Sequence, residues 1–213
     1  MQTDDLIRSL AGNLAPVSRR MVQQRIALGL GAGAVVTLAA IGMRLGFRPD
    51  LGMAMLGFSF WMKWLYTASL ATAAITATVQ LARPETSRLS GLWIFCVPSM
   101  VLVALAAMEL ALTPIGSWPG LLQGRSEAQC TLLVLALSLP IFAGLVWAFR
   151  RLAPGNLPLT GAMAGLASGA CAATLYSLHC PEAAATFVLV WYTLGMVLAM
   201  VGGALLAPRL LRW

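Results

Sequence analysis

His179-Cys180-Pro181-Glu182 places an imidazole, a thiol and a carboxylate within four consecutive positions. Each of these groups binds metal ions, and the thiolate is also a nucleophile and a redox centre. The run sits in a very short link between two strongly apolar segments. Polar groups near lipid are costly, so three of them together call for a role. The link is too short to be a domain, which puts any chemistry it performs at a membrane surface.

The elements that position these residues follow from composition and patterning. The chain has 213 residues, of which 60% are hydrophobic and 10% charged. Soluble domains are nearer 45–50% apolar and about 25% charged. Mean hydropathy is +0.84. The expectation is an all-α polytopic membrane protein, a bundle of six transmembrane helices with a short N-terminal cytoplasmic helix. Each span needs roughly 20 apolar residues. The candidates are Ile26–Met43, Ser59–Ala82, Leu89–Leu112, Cys130–Phe149, Pro158–Leu178 and Ala184–Ala207. Two parts result: a cytoplasmic tail over residues 1–25 and a bundle over 26–213. The first apolar run lies behind a polar tail, so no cleavable signal peptide is expected.

The net charge of +7 would suggest nucleic acid in a soluble protein. Here the basic residues flank the spans. Arg8, Arg19, Arg20, Arg25, Arg83, Arg88, Arg150, Arg151, Arg209 and Arg212 fall on one side; Arg44, Arg48, Lys63 and Arg125 fall on the other. The positive-inside rule then puts both termini in the cytoplasm, with Arg44 and Arg48 as the opposing signal.

That topology sorts the four cysteines. Cys130, at the outer start of the fourth span, and Cys180, in the outer link between the fifth and sixth, are the pair expected at one surface. Cys96 and Cys171 read as small hydrophobes in a core. In an oxidising outer compartment the outer pair could form a disulfide. It could bind a soft metal ion together with His179, Glu182 and Glu127, or react as separate thiols. It could equally be two unrelated interfacial cysteines. Lys63 and Glu109 share a depth near the outer ends of the second and third spans, where an ion pair or a shared polar patch is expected, with a structural role preferred because snorkelling is cheap near an interface. Acid chains deep in spans, a HExxH motif and a broken helix pair are absent from the sequence. The single histidine excludes a multi-histidine catalytic zinc site.

The tail has its own pattern. Thr3 is a favoured N-cap, and Asp4 and Asp5 follow where a helix dipole favours anions. Leu6, Ile7, Leu10 and Leu14 share a helical face, and Pro16 ends the helix. So short a helix is marginal alone and needs a partner. A lipid-lying helix carries Lys and Arg on its polar face, whereas this one carries Asp4 and Asp5 against Arg8. A groove on another protein is preferred over simple docking on the bundle itself. Within the bundle, Gly161, Gly165 and Gly169 recur every four residues, as do Gly195, Ala199 and Gly203, a spacing that lets helices approach closely. Tight packing within one chain is the reading preferred over a dimer seam. Gly29, Gly31 and Gly33 carry less information. Trp61, Trp64, Tyr66, Trp191 and Tyr192 read as structural aromatics, the first group as an interfacial belt.

Several of these residues together resemble the NrsF-type membrane anti-sigma factors of proteobacteria. They are the opening Met-x-Thr-Asp-Asp-Leu-Ile, the late His-Cys-Pro-Glu, then Phe187, Trp191-Tyr192, Gly195 and the closing Leu210-Leu211-Arg212-Trp213. Gln2 departs from the pattern, where a basic residue is more usual. The resemblance implies a regulator rather than an enzyme, held in the bacterial inner membrane. Its tail would sequester an extracytoplasmic-function sigma factor through Thr3, Asp4, Asp5, Leu6, Ile7 and Leu10. Cys130 and Cys180 would sense a metal or redox stress and release it. No cofactor is required on this reading, although a heavy-metal ion at Cys130 and Cys180 is compatible with it. Lipid is a further partner, and no direct nucleic-acid contact is expected. Two other classes stay in view. One is a small metal or solute transporter with an outer His-Cys-Glu access site; the other is a membrane thiol oxidoreductase.

Overall fold

The computed structural model describes residues 19–82, 93–124, 127–150, 152 and 155–211. The expected tail positions Thr3, Asp4, Asp5, Leu6, Ile7 and Leu10, and the side chain of Glu127, lie outside the described residues. Among those described, every element is helical, as the composition requires.

Helix α1 covers Arg19–Ala40 and runs on through a π turn, Ile41–Leu45. It starts before the expected Ile26 because Val22 and Ile26 pack inward against a cluster that includes Phe149 and Leu152. A glycine at positive φ, Gly46, ends it and returns its N–H to the Ile41 carbonyl at 2.8 Å. Two short helices that the patterning missed occupy links: α2, Leu51–Ala54, and α5, Trp118–Gln123. The remaining long helices are α3, Phe58–Leu81; α4, Trp93–Leu112; α6, Glu127–Phe149; α7, Leu157–Tyr176; and α8, Ala185–Leu210. Asn156 caps α7 by accepting from the Leu159 N–H at 3.1 Å. A second π turn, Val188–Tyr192, interrupts α8 near its start.

Five of the described helices are long and apolar enough to cross a membrane: α1, α4, α6, α7 and α8. The sixth expected span, α3, has the length at 24 residues but carries Lys63, four threonines and two serines. Most of those hydroxyls donate to the helix's own carbonyls, as Thr67 does to Lys63 at 3.1 Å and Thr72 to Ala68 at 2.8 Å. Their polarity is thereby consumed locally.

Helix α7 is the hub. It is the most buried of the five and packs against α1, α3, α6 and α8. Its closest partner is α8, and the glycine repeat explains why. A Cβ on Gly161 would strike the Gly203 carbonyl and the Ala207 side chain; one on Gly165 would strike the Ala199 carbonyl; one on Gly203 would strike the Gly161 carbonyl. The repeat is a seam within the chain, as preferred from sequence. Gly195 departs from it and faces Val134 and Thr131 on α6 instead. The first-span glycines carry more than their spacing suggested. Gly29 abuts Gly144, and Gly33 abuts Ile141 and Pro140, so α1 and α6 form a second close seam. Thr37 locks that seam by donating to the Leu137 carbonyl at 3.0 Å. Helix α4 is the most outward-facing, with Trp93, Met100, Val101 and Met108 exposed. Cys96 lies on this outward surface rather than in a core, and Cys171 is half-buried.

Candidate functional site

The site forms where the start of α6, the end of α7 and the 177–184 link meet. Cys130 stands in the first turn of α6, and Cys180 lies just beyond α7. Both are fully buried, and their sulfurs are 3.6 Å apart. The end of α7 sets the position of Cys180: the His179 and Cys180 N–H groups donate to the Tyr176 carbonyl at 2.9 and 3.0 Å. The Tyr176 hydroxyl then reaches the Cys130 sulfur at 3.3 Å. Tyr176 is therefore bonded to both halves of the pair, through its backbone and its side chain. Tyr192, in the π turn of α8, is buried beside Cys180, and its hydroxyl makes no hydrogen bond of ordinary geometry. Sequence spacing marks Tyr192 only as a structural aromatic and does not single out Tyr176. Tyr176 stands four positions before Cys180, one turn of helix, and that spacing is the available signal.

Of the two expected arrangements, Lys63 and Glu109 form the shared polar patch and not the ion pair, and Lys63 does not snorkel. Lys63 is 1% exposed. Its Nζ donates to the carbonyls of Cys180 and Glu182, each at 2.9 Å. Glu109 instead receives the Thr186 N–H at 2.8 Å and the Thr186 hydroxyl at 2.7 Å. That carboxylate caps the start of α8, where a helix leaves N–H groups unsatisfied and favours negative charge. The two charges thus grip the same link at different points, Lys63 near its middle and Glu109 where it enters α8. Trp191 adds a third tie, its indole donating to the Leu122 carbonyl at 2.6 Å.

The link also holds the neighbouring 46–50 turn. His179 Nδ1 donates to the Gly46 carbonyl at 2.7 Å, and the Arg48 N–H donates to the Leu178 carbonyl at 3.3 Å. Arg48 is paired with Asp50 through two bonds of 2.7 and 2.6 Å, which hold the Asp50 carboxyl below the usual carboxylate range.

Of the five residues considered for a metal, the structure unites Cys130 and Cys180. His179 is turned to Gly46, and Glu182 is half-buried beside Gly124. Among the described residues no three His, Cys, Asp or Glu side chains gather in a metal-binding group. What remains is a buried dithiol. The Cys180 thiol is pulled down to about 6, first by its hydrogen bond with Cys130, against the opposing effect of burial, and further by the Lys63 charge. A thiolate facing a thiol at this distance is a pair ready to bridge, because exchange and oxidation proceed through the thiolate.

A family described as "Negative regulator of sigma F" matches residues 10–213. The chain belongs to the NrsF family. It is 41% identical over the full length of both chains to the "Anti-sigma-F factor NrsF" of Caulobacter vibrioides (strain NA1000 / CB15N). It is 36% identical, again over both full lengths, to the "Probable anti-sigma-F factor NrsF" of Azospira oryzae (strain ATCC BAA-33 / DSM 13638 / PS). No solved structure matches. NrsF membership makes this a regulatory protein and not an enzyme, as the resemblance implied.

Proposed function

We propose that this chain is an inner-membrane anti-sigma factor that holds an extracytoplasmic-function sigma factor through its N-terminal tail and releases it when the outer dithiol reacts. On this reading six helices span, with α3 as the second, and both termini are cytoplasmic. The tail, residues 1–25, presents Thr3, Asp4, Asp5, Leu6, Ile7 and Leu10 to the sigma factor. The observation that carries the sensing half is the 3.6 Å separation of two buried sulfurs from distant parts of the chain.

The reaction is a two-electron oxidation. Cys130 and Cys180 lose two protons and two electrons and form one S–S bond, while the O–O bond of a peroxide breaks and takes up both, leaving two waters from hydrogen peroxide or one alcohol and one water from an organic hydroperoxide. A disulfide is about 2.0 Å long, so the sulfurs close by roughly 1.5 Å. A soft thiophilic ion bridging both thiolates would impose a comparable reshaping. Either event acts on the link clamped to α8, whose seam with α7 is built from carbonyl-to-glycine contacts. Tightly packed seams hold discrete arrangements rather than deforming smoothly. A coupling of about 1–3 kcal/mol between outer site and tail corresponds to a 5–150-fold change in sigma affinity.

The test is co-purification of the sigma factor with full-length protein in which both Cys130 and Cys180 are serine. Retention without oxidant together with loss of release on oxidation supports the reading. Release that persists in the double variant overturns the sensing half.

A further inference from the structure

We propose that Lys63 is a positioning residue for the dithiol: its two bonds to the link fix the Cys180 backbone so that the Cys180 thiol stands against Cys130. The inference rests on the dithiol reading above and adds a residue to it.

Three observations carry it. First, Lys63 lies near one end of α3, where a lysine reaches water by extending its stem. It turns inward instead and is 1% exposed. Burying an ammonium is costly unless it is well bonded. Second, both of its acceptors belong to the three-residue stretch that carries Cys180, the carbonyls of Cys180 itself and of Glu182, each at 2.9 Å. Pro181 between them has no N–H and lies exposed, and the Cys180 N–H is held separately by the Tyr176 carbonyl, so Lys63 binds the carbonyl side of this stretch. Third, the same ammonium lies 5.7 Å from the centre of the Tyr192 ring, in the π turn beside the thiols. One side chain therefore ties α3 to the link and to α8 around the sulfur pair.

The experiment measures the effective concentration of the thiol pair. Full-length protein in detergent is equilibrated with glutathione buffers of graded redox ratio, and the Cys130–Cys180 disulfide is quantified by alkylation and peptide mapping. Lys63→Met removes the donors at similar volume. It is expected to shift the equilibrium toward the dithiol by about tenfold or more, because the two sulfurs are no longer held together. Glu109→Gln, which alters the grip at Thr186, is expected to shift it far less. A Lys63→Met equilibrium equal to wild type overturns the inference. Should Lys63→Met fail to retain the sigma factor when reduced, the equilibrium is read in Lys63→Gln, whose amide is one bond shorter and falls short of holding both carbonyls. An intermediate shift there supports the role, and a wild-type value overturns it. Failure of the wild-type protein to form the Cys130–Cys180 disulfide in any buffer would instead overturn the sensing reading.

Discussion

The sulfurs of Cys130 and Cys180 lie 3.6 Å apart although 50 positions separate them in the chain. Neither is near the other by local structure: one begins α6, and the other follows α7. Their meeting is a product of the whole bundle, with Tyr176, Lys63 and Glu109 as its local guides.

The first prediction concerns pH. The Cys180 thiol is lowered to about 6, so at neutral pH it is largely thiolate. Labelling by a small thiol reagent should rise with pH through about 6 and level off by neutrality, whereas an ordinary cysteine keeps rising through about 8.5. The linkage sign follows. A lowered folded-state value gives stability that is fully present above the unfolded thiol value and is lost as pH falls through about 6. Cys180→Ser should remove that acid-side decline from thermal melts in detergent.

The second concerns the cap. Glu109→Ala leaves the Thr186 N–H without its partner at the start of α8. A hydrogen bond to a charged group contributes about 1.5–3 kcal/mol, so the melting temperature should fall measurably. Glu109→Gln keeps an acceptor and should lose less. Equal losses would show that the charge at this helix start is unimportant.

The third concerns the seams. Gly165→Ala places a Cβ against the Ala199 carbonyl, and Gly29→Ala places one against Gly144. Overpacking of this kind costs typically about 1–3 kcal/mol, and more where backbone cannot yield. Both variants should accumulate poorly or melt early. Gly31→Ala, which meets nothing within 4 Å, should be neutral.

Much of the bundle was legible in the sequence because apolar runs and glycine spacing are local signals. Five of the six expected spans appear as helices of sufficient length and hydropathy, and the Gly161-Gly165 repeat seats α7 on α8. The Gly29–Gly33 spacing is the same signal, but the intervening Gly31 obscured it. Pairing Cys130 with Cys180 needed only topology. The partners of Lys63 and Glu109 were out of reach. Both bond to the link's backbone, which has no side-chain signature, and equal depth suggested a direct ion pair. Tyr192 was hidden for a related reason: the π turn rotates it out of the regular helical phase in which sequence spacing is read.

The fourth concerns the tail. A peptide of residues 1–25 should bind the sigma factor, and Asp4→Lys with Leu6→Ala should abolish binding by removing both the charge and the apolar stripe. Unchanged affinity in a titration would reject the tail-groove reading.

The central claim is that the outer dithiol and the inner tail are coupled. Its most direct test is one sample in which both ends are read. Full-length protein carrying its bound sigma factor is reconstituted in lipid vesicles and exposed to peroxide. Disulfide formation is followed by peptide mapping and sigma release by pelleting the vesicles. The account predicts that release tracks the Cys130–Cys180 bond, and that neither occurs in the double serine variant. A sigma factor that stays bound while the disulfide forms completely would contradict it.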